Sequence, residues 1–166
     1  MKRLLCSIFI IIQLASLYSK PALSLSLALA PSFSFVDRTI YSEGYGTLSA
    51  GFLSSSKNKL RSGASISASY FTSSNIVNRK FLPNRINARI LFDLEFLVNE
   101  EISIISSLHL GYMHYQKINA GELEGGISAG LYGQIMKNLY VGIPLSISIS
   151  KGEKRFGAEL SLRFLG

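Results

Sequence analysis

Along this chain, apolar and small polar residues alternate in eight short segments, and most of the charge lies between them. From Leu139 to Ser150 the odd positions are Leu139, Val141, Ile143, Leu145, Ile147 and Ile149. The even positions are Tyr140, Gly142, Pro144, Ser146, Ser148 and Ser150. A repeat of two marks a β-strand whose side chains leave by opposite faces. The polar face carries Ser and Gly rather than Lys and Glu. A soluble sheet would place charge on its outer surface, so the apolar face is expected to be the outer one, against lipid.

The same reading predicts strands at about 23–35, 45–53, 60–71, 85–97, 102–115, 126–135, 139–150 and 155–164. In the first, Leu23, Leu25, Leu27, Leu29, Phe33 and Phe35 face out. In the fourth, Ile86, Ala88, Ile90, Phe92, Leu94 and Phe96 form an unbroken apolar face opposite Arg85, Asn87, Arg89, Asp93 and Glu95. The fifth is weaker, because Ile105 and Met113 fall inward beside His109. Such lengths suit the about 9–11 residues that a tilted strand needs to cross a bilayer. Long connections are expected at 36–44, 72–84 and 116–125, with short turns at 54–59, 98–101, 136–138 and 151–154. Short turns at one end and longer loops at the other are how membrane barrels are built. Outward aromatics gather near the two rims. Phe33, Phe35, Tyr70, Tyr112 and Phe156 lie toward the long loops, and Phe52, Phe92, Phe96 and Phe164 toward the short turns.

Composition narrows the class. Of the 166 residues, 48% are hydrophobic and only 16% charged, against about 25% charged in a typical soluble domain. No apolar run in the body approaches the about 20 residues of a membrane helix, so membrane contact implies a closed barrel with no free sheet edge. Residues 1–19 read as a signal peptide. Lys2 and Arg3 start it, Leu4–Leu17 is its apolar stretch, and Ser19 is the favoured cleavage point. Residues 20–166 then form one domain. Cys6, the sole cysteine, falls inside the signal, which removes thiol nucleophiles and thiolate metal sites from the mature chain. The net charge of +7 is scattered through turns and forms no stripe for nucleic acid. No cofactor is expected.

With these strands in place, the chain resembles the small eight-stranded outer-membrane proteins of bacteria, the OmpA-transmembrane, OmpX and OmpW-like group. Arg155-Phe156-Gly157-Ala158-Glu159-Leu160-Ser161-Leu162 is similar to the signal by which barrel-assembly machinery recognises its substrates. That family usually ends on an aromatic residue, whereas this chain continues through Leu165 and Gly166. The resemblance implies an all-β, closed antiparallel eight-stranded transmembrane barrel in a bacterial outer membrane. It also implies delivery by periplasmic chaperones to the assembly machinery.

Eight strands enclose room for side chains and little else. The inward charges Arg61, Arg85, Arg89, Asp93, Glu95, Arg155, Glu159 and Arg163 should therefore meet one another. Counting along strands puts Arg89 level with Glu159, and Arg61 level with Asp93 and Glu95. Buried charges must be paired or they cost several kcal/mol, so the network Arg61, Arg89, Asp93, Glu95, Glu159 and Arg163 is expected to plug the lumen; a narrow ion path through it is the functional alternative. Lipid A deacylases resemble this architecture, but neither His109 nor His114 has a Ser two residues on; Ser107, His109 and Glu122 are the weak catalytic candidates. The loop bearing Arg79, Lys80 and Phe81 is the candidate contact for host or neighbouring surface proteins. The expected role is structural or surface-interacting, without catalysis; a small-solute pore and a lipid-modifying enzyme are the alternatives.

Overall fold

A computed structural model describes residues 21–36, 39–54, 59–74, 84–116 and 120–166. The signal expected over residues 1–19, Cys6 included, and the loop residues Arg79, Lys80 and Phe81 lie outside these segments.

The strands are β1 (Pro21–Val36), β2 (Thr39–Ser54), β3 (Leu60–Ser74), β4 (Arg85–Leu97), β5 (Ile102–Tyr115), β6 (Ala120–Met136), β7 (Leu139–Ser150), β8 (Lys154–Ala158) and β9 (Leu160–Leu165). Each pairs antiparallel with its successor through β8, and β1 closes the ring on β8 and β9. The last two are halves of one eighth stave, running in a single register against both β1 and β7. Their break at Glu159 lies opposite Pro144, which has no N–H to give the ladder; Glu159 N still donates to Pro144 O at 2.9 Å. The seam runs to the last residue, where Leu23 and Gly166 exchange backbone hydrogen bonds of 3.1 and 2.9 Å.

The turns follow from their residues. Asn138 takes a positive φ of 65° between β6 and β7, a conformation that Asn tolerates better than most. Asn99 Oδ1 accepts from the backbone N–H groups of Glu101 (2.9 Å) and Ile102 (2.7 Å), closing the β4–β5 turn.

Face assignment follows the alternation throughout. Leu48 is 62% exposed, Ile66 67% and Leu145 63%, whereas Arg85 is 0% and Glu95 1%. A water-soluble fold would reverse this order, because apolar burial drives folding in water. The outward apolar stripe of β1 climbs twelve residues from Leu23 to Phe35. At about 3.3 Å per residue and a tilt of about 40° it stands about 30 Å tall, close to the about 25 Å apolar band of a membrane barrel. The chain is built as a transmembrane β-barrel.

Two expected loops are shorter than the sequence suggested. β2 begins at Thr39 rather than near Tyr45, and β6 at Ala120 rather than Gly126. The β3–β4 connection, expected at 72–84, stays the longest but gives up 72–74 to β3 and spans residues 75–84. The cause is chemical. Glu43, Glu122 and Glu124 resemble loop residues in sequence, but they are inward strand residues whose charges are matched inside the barrel.

Candidate functional site

The lumen end beneath the β3–β4 connection is packed around Phe71, which is wholly buried. Tyr45 stacks on it, with ring centroids 4.8 Å apart and planes at 26°. The guanidinium carbon of Arg155 stands 4.3 Å from its centroid, that of Arg85 5.4 Å and that of Arg89 5.8 Å. Cations over a ring face are attracted by its quadrupole, most strongly where water is excluded.

Carboxylates surround these arginines. Arg85 Nη2 donates to Glu43 and, at 3.1 Å, to Glu153 Oε1. Arg155 Nη2 lies 3.0 Å from Glu153 Oε1 and 3.3 Å from Glu124 Oε2, while its Nε is 3.5 Å from Glu43 Oε2. Arg89 Nε donates to Glu124 Oε1 at 2.6 Å, and Asn87 donates to the same oxygen. Ser34 Oγ sits 2.5 Å from Glu43 Oε2 and 2.7 Å from Glu153 Oε1. Tyr115 and Ser150 hydroxyls hold Glu122 at the rim. A strand places every second residue on one wall, so Tyr41-x-Glu43-x-Tyr45, Arg85-x-Asn87-x-Arg89, Glu122-x-Glu124 and Glu153-x-Arg155 converge without any bend in the backbone.

The opposite half is sparser. Asp93 accepts from Ser107 at 2.5 Å and Ser65 at 3.2 Å. Arg163 Nε donates to Ser24 Oγ at 2.9 Å, and its Nη2 is 3.9 Å from Asp93 Oδ2. At the lower rim Arg61 Nη1 lies 3.6 Å from Glu95 Oε2, across the β3–β4 ladder where the two residues are register partners.

The structure redistributes the expected network. Arg89 does not bridge to Glu159; it bonds Glu124, and Glu159 accepts from Tyr45 OH at 2.5 Å. Counting residues from each strand's start ignores the tilt of a barrel, which displaces equal counts to unequal heights. Glu43, Glu122, Glu124 and Glu153 were missed because they fell in expected loops. The signal that finds them is their spacing by two from Tyr45, from each other, and from Arg155.

The weak catalytic candidates are not brought together. Ser107 bonds Asp93, and Glu122 bonds Tyr115 and Ser150. His109 Nε2 is 3.0 Å from Ser148 Oγ and 3.9 Å from Glu124 Oε1. One nitrogen serves both neighbours, so the ring does not stand between a nucleophile and a carboxylate as a general base requires. His114 lies on the outward parity, opposite Ile86 and Gly121. Among the described residues no three of His, Cys, Asp or Glu converge as metal ligands.

A plugged eight-stranded ring with an oily exterior can be compared with solved structures. Neisserial surface protein A aligns over 88% of this chain and 99% of its own, with a TM-score of 0.57 and 10% identity. Ail, the attachment invasion locus protein of Yersinia pestis, aligns over 89% and 99%, with a TM-score of 0.58 and 12% identity. Its complex with the heparin analogue sucrose octasulfate gives a TM-score of 0.57 and 14% identity over the same shares. The chain has the fold of a small bacterial outer-membrane β-barrel. No protein-family model matches it, nor does the sequence of any curated protein. At such identity what is shared is the outer-membrane barrel architecture alone.

Proposed function

We propose that this outer-membrane barrel is a non-catalytic, adhesin-like surface protein that binds acidic glycans through the connections at its plugged end. The observation that carries the reading is where the charge goes. Seven of the ten acidic residues, Glu43, Asp93, Glu95, Glu122, Glu124, Glu153 and Glu159, belong to the inner wall or its plug. The connections at the plugged end hold Arg38, Arg79, Lys80, Lys117 and Lys151 against two acids, Asp37 and Glu153, of which Glu153 is taken up by Arg85 and Arg155 in the plug, and Lys154 follows on the outer wall. Cations on this rim meet few carboxylates outside the barrel to neutralise them, which favours polyanions by steering and by salt-dependent contact. Ail, of the same fold, has been solved with a sulfated heparin analogue.

The test is binding of the refolded barrel to immobilised heparin at fixed salt. R79A/K80A should weaken it at least threefold, and Phe81→Ala less. Unchanged binding by a correctly folded double variant would reject the reading. Deleting the protein should leave the mass of lipid A unaltered; a changed mass would revive the enzyme. Biogenesis follows the sequence signals: residues 1–19 are removed, periplasmic chaperones carry the chain, and the assembly machinery reads its last strand. N-terminal sequencing of the membrane form should return Lys20.

A further inference from the structure

The two halves of the lumen differ in a way that the surface role does not use. At the plugged end Phe71, Arg85 and Met113 are 0% exposed and Arg155 4%. In the other half Ser26, Thr47, Ser65, Ser107, Ser128 and Ser146 also point inward, yet they keep intermediate exposure. A side chain on the inner wall can be exposed only to space inside the barrel, so this half is hollow. The cavity measures about 80 Å³, room for two or three waters at about 30 Å³ each. Two atoms of lining residues, Ser67 Oγ and Arg163 Nη2, have no hydrogen-bond partner, although the two residues are only 6% and 5% exposed. Buried polar atoms without a protein partner are normally satisfied by water.

Charge tells which solute suits the chamber. The chamber itself is lined by two arginines, Arg89 and Arg163, against two carboxylates, Asp93 and Glu159; Arg89 is matched by Glu124 and Arg163 by Asp93. Glu159 lines the chamber with no cationic side chain within 4 Å among the described residues, and accepts from Tyr45 alone among the side chains. A hydroxyl-lined space whose one unmatched charge is a carboxylate favours cations over anions. At the lower rim the Arg61 side chain is 28% exposed, so water reaches the inner wall there. Leu53, 1% exposed, narrows that end.

We propose that the chamber is part of a path for small monovalent cations, shut from outside by the plug of Phe71 and Arg155. This reading is independent of the glycan site, so loss of heparin binding leaves it untouched. The test uses the full barrel in planar bilayers under a KCl gradient. F71A should raise the mean current at least tenfold over the parent, with a cation-selective reversal potential. Adding E159Q to F71A should lower the cation preference at least twofold. Should F71A fail to fold, F71L replaces it in the same measurements.

A second readout needs no current. With residues 1–19 removed, S128C carries the sole thiol of the barrel, and Ag⁺ supplied from the plugged side should react with it at least tenfold faster when F71A is present. F71A/L53A separates the two seals: current from either variant supports the path. Silence of both, each shown folded by heat-modifiable gel mobility, with an unaltered Ag⁺ rate, overturns it. An anion-selective current overturns it as well.

Discussion

The outer and inner halves of the lumen are lined by the same eight staves, yet they solve the problem of an eight-stranded interior in opposite ways. The outer half fills its width with large charged and aromatic side chains, every one tied to several others. The inner half spaces small hydroxyls around a cavity of about 80 Å³. The contrast shows that barrel closure alone does not dictate a dry core. The identity of every second residue decides whether a given height is a plug or a chamber. It also separates tasks: the plug fixes how the strands sit together, while the chamber leaves room.

If that contrast is right, substitutions should sort by height. The largest effect belongs to Arg85→Met. It leaves Glu43 and Glu153 facing each other without Arg85, a loss expected to cost about 3–5 kcal/mol, as for a broken buried ion pair. Urea unfolding in lipid vesicles, followed by circular dichroism, would measure it; a cost below about 1 kcal/mol would mean that the plug contributes little. Next comes Phe71→Ala, which empties the centre of the plug and should cost about 3–5 kcal/mol, less if water fills the space. On the outer wall, Leu48→Arg near mid-height should cost about 2–4 kcal/mol in the same assay. A neutral result there would speak against lipid contact. Smallest is Ser128→Ala in the chamber, expected within about 0.5 kcal/mol of the parent because no packing is lost.

The alternation made the wall legible. Leu139–Ser150 alone established that one face is oily and the other small and polar, and the structure follows that pattern on every stave. The plug was legible only in part. Parity places Arg85, Arg89 and Arg155 inside, but the residues around their carboxylate partners read as loops. Glutamate is a poor strand former on propensity, and Gly44 and Gly46 beside Glu43 read as turn residues. What the residues alone do not show is the match between them: Glu43 belongs in a strand because Arg85, forty-two positions away, neutralises it. The Arg89–Glu159 pairing failed for a related reason, since heights in a tilted barrel depend on register across neighbours rather than on counts within one strand. The break at Glu159 was hidden too, although its cause, Pro144, stood in the clearest strand of all.

Orientation of the wall is the claim on which the rest depends, and the chain offers a clean test because it contains no tryptophan. Single tryptophans placed by Leu48→Trp, Ile66→Trp and Leu145→Trp should emit in the blue and be strongly quenched when the barrel is refolded into vesicles of brominated lipid. Tyr132→Trp, on the inner wall, should escape that quenching. Quenching of the inner tryptophan with none at the three outer positions would contradict the account.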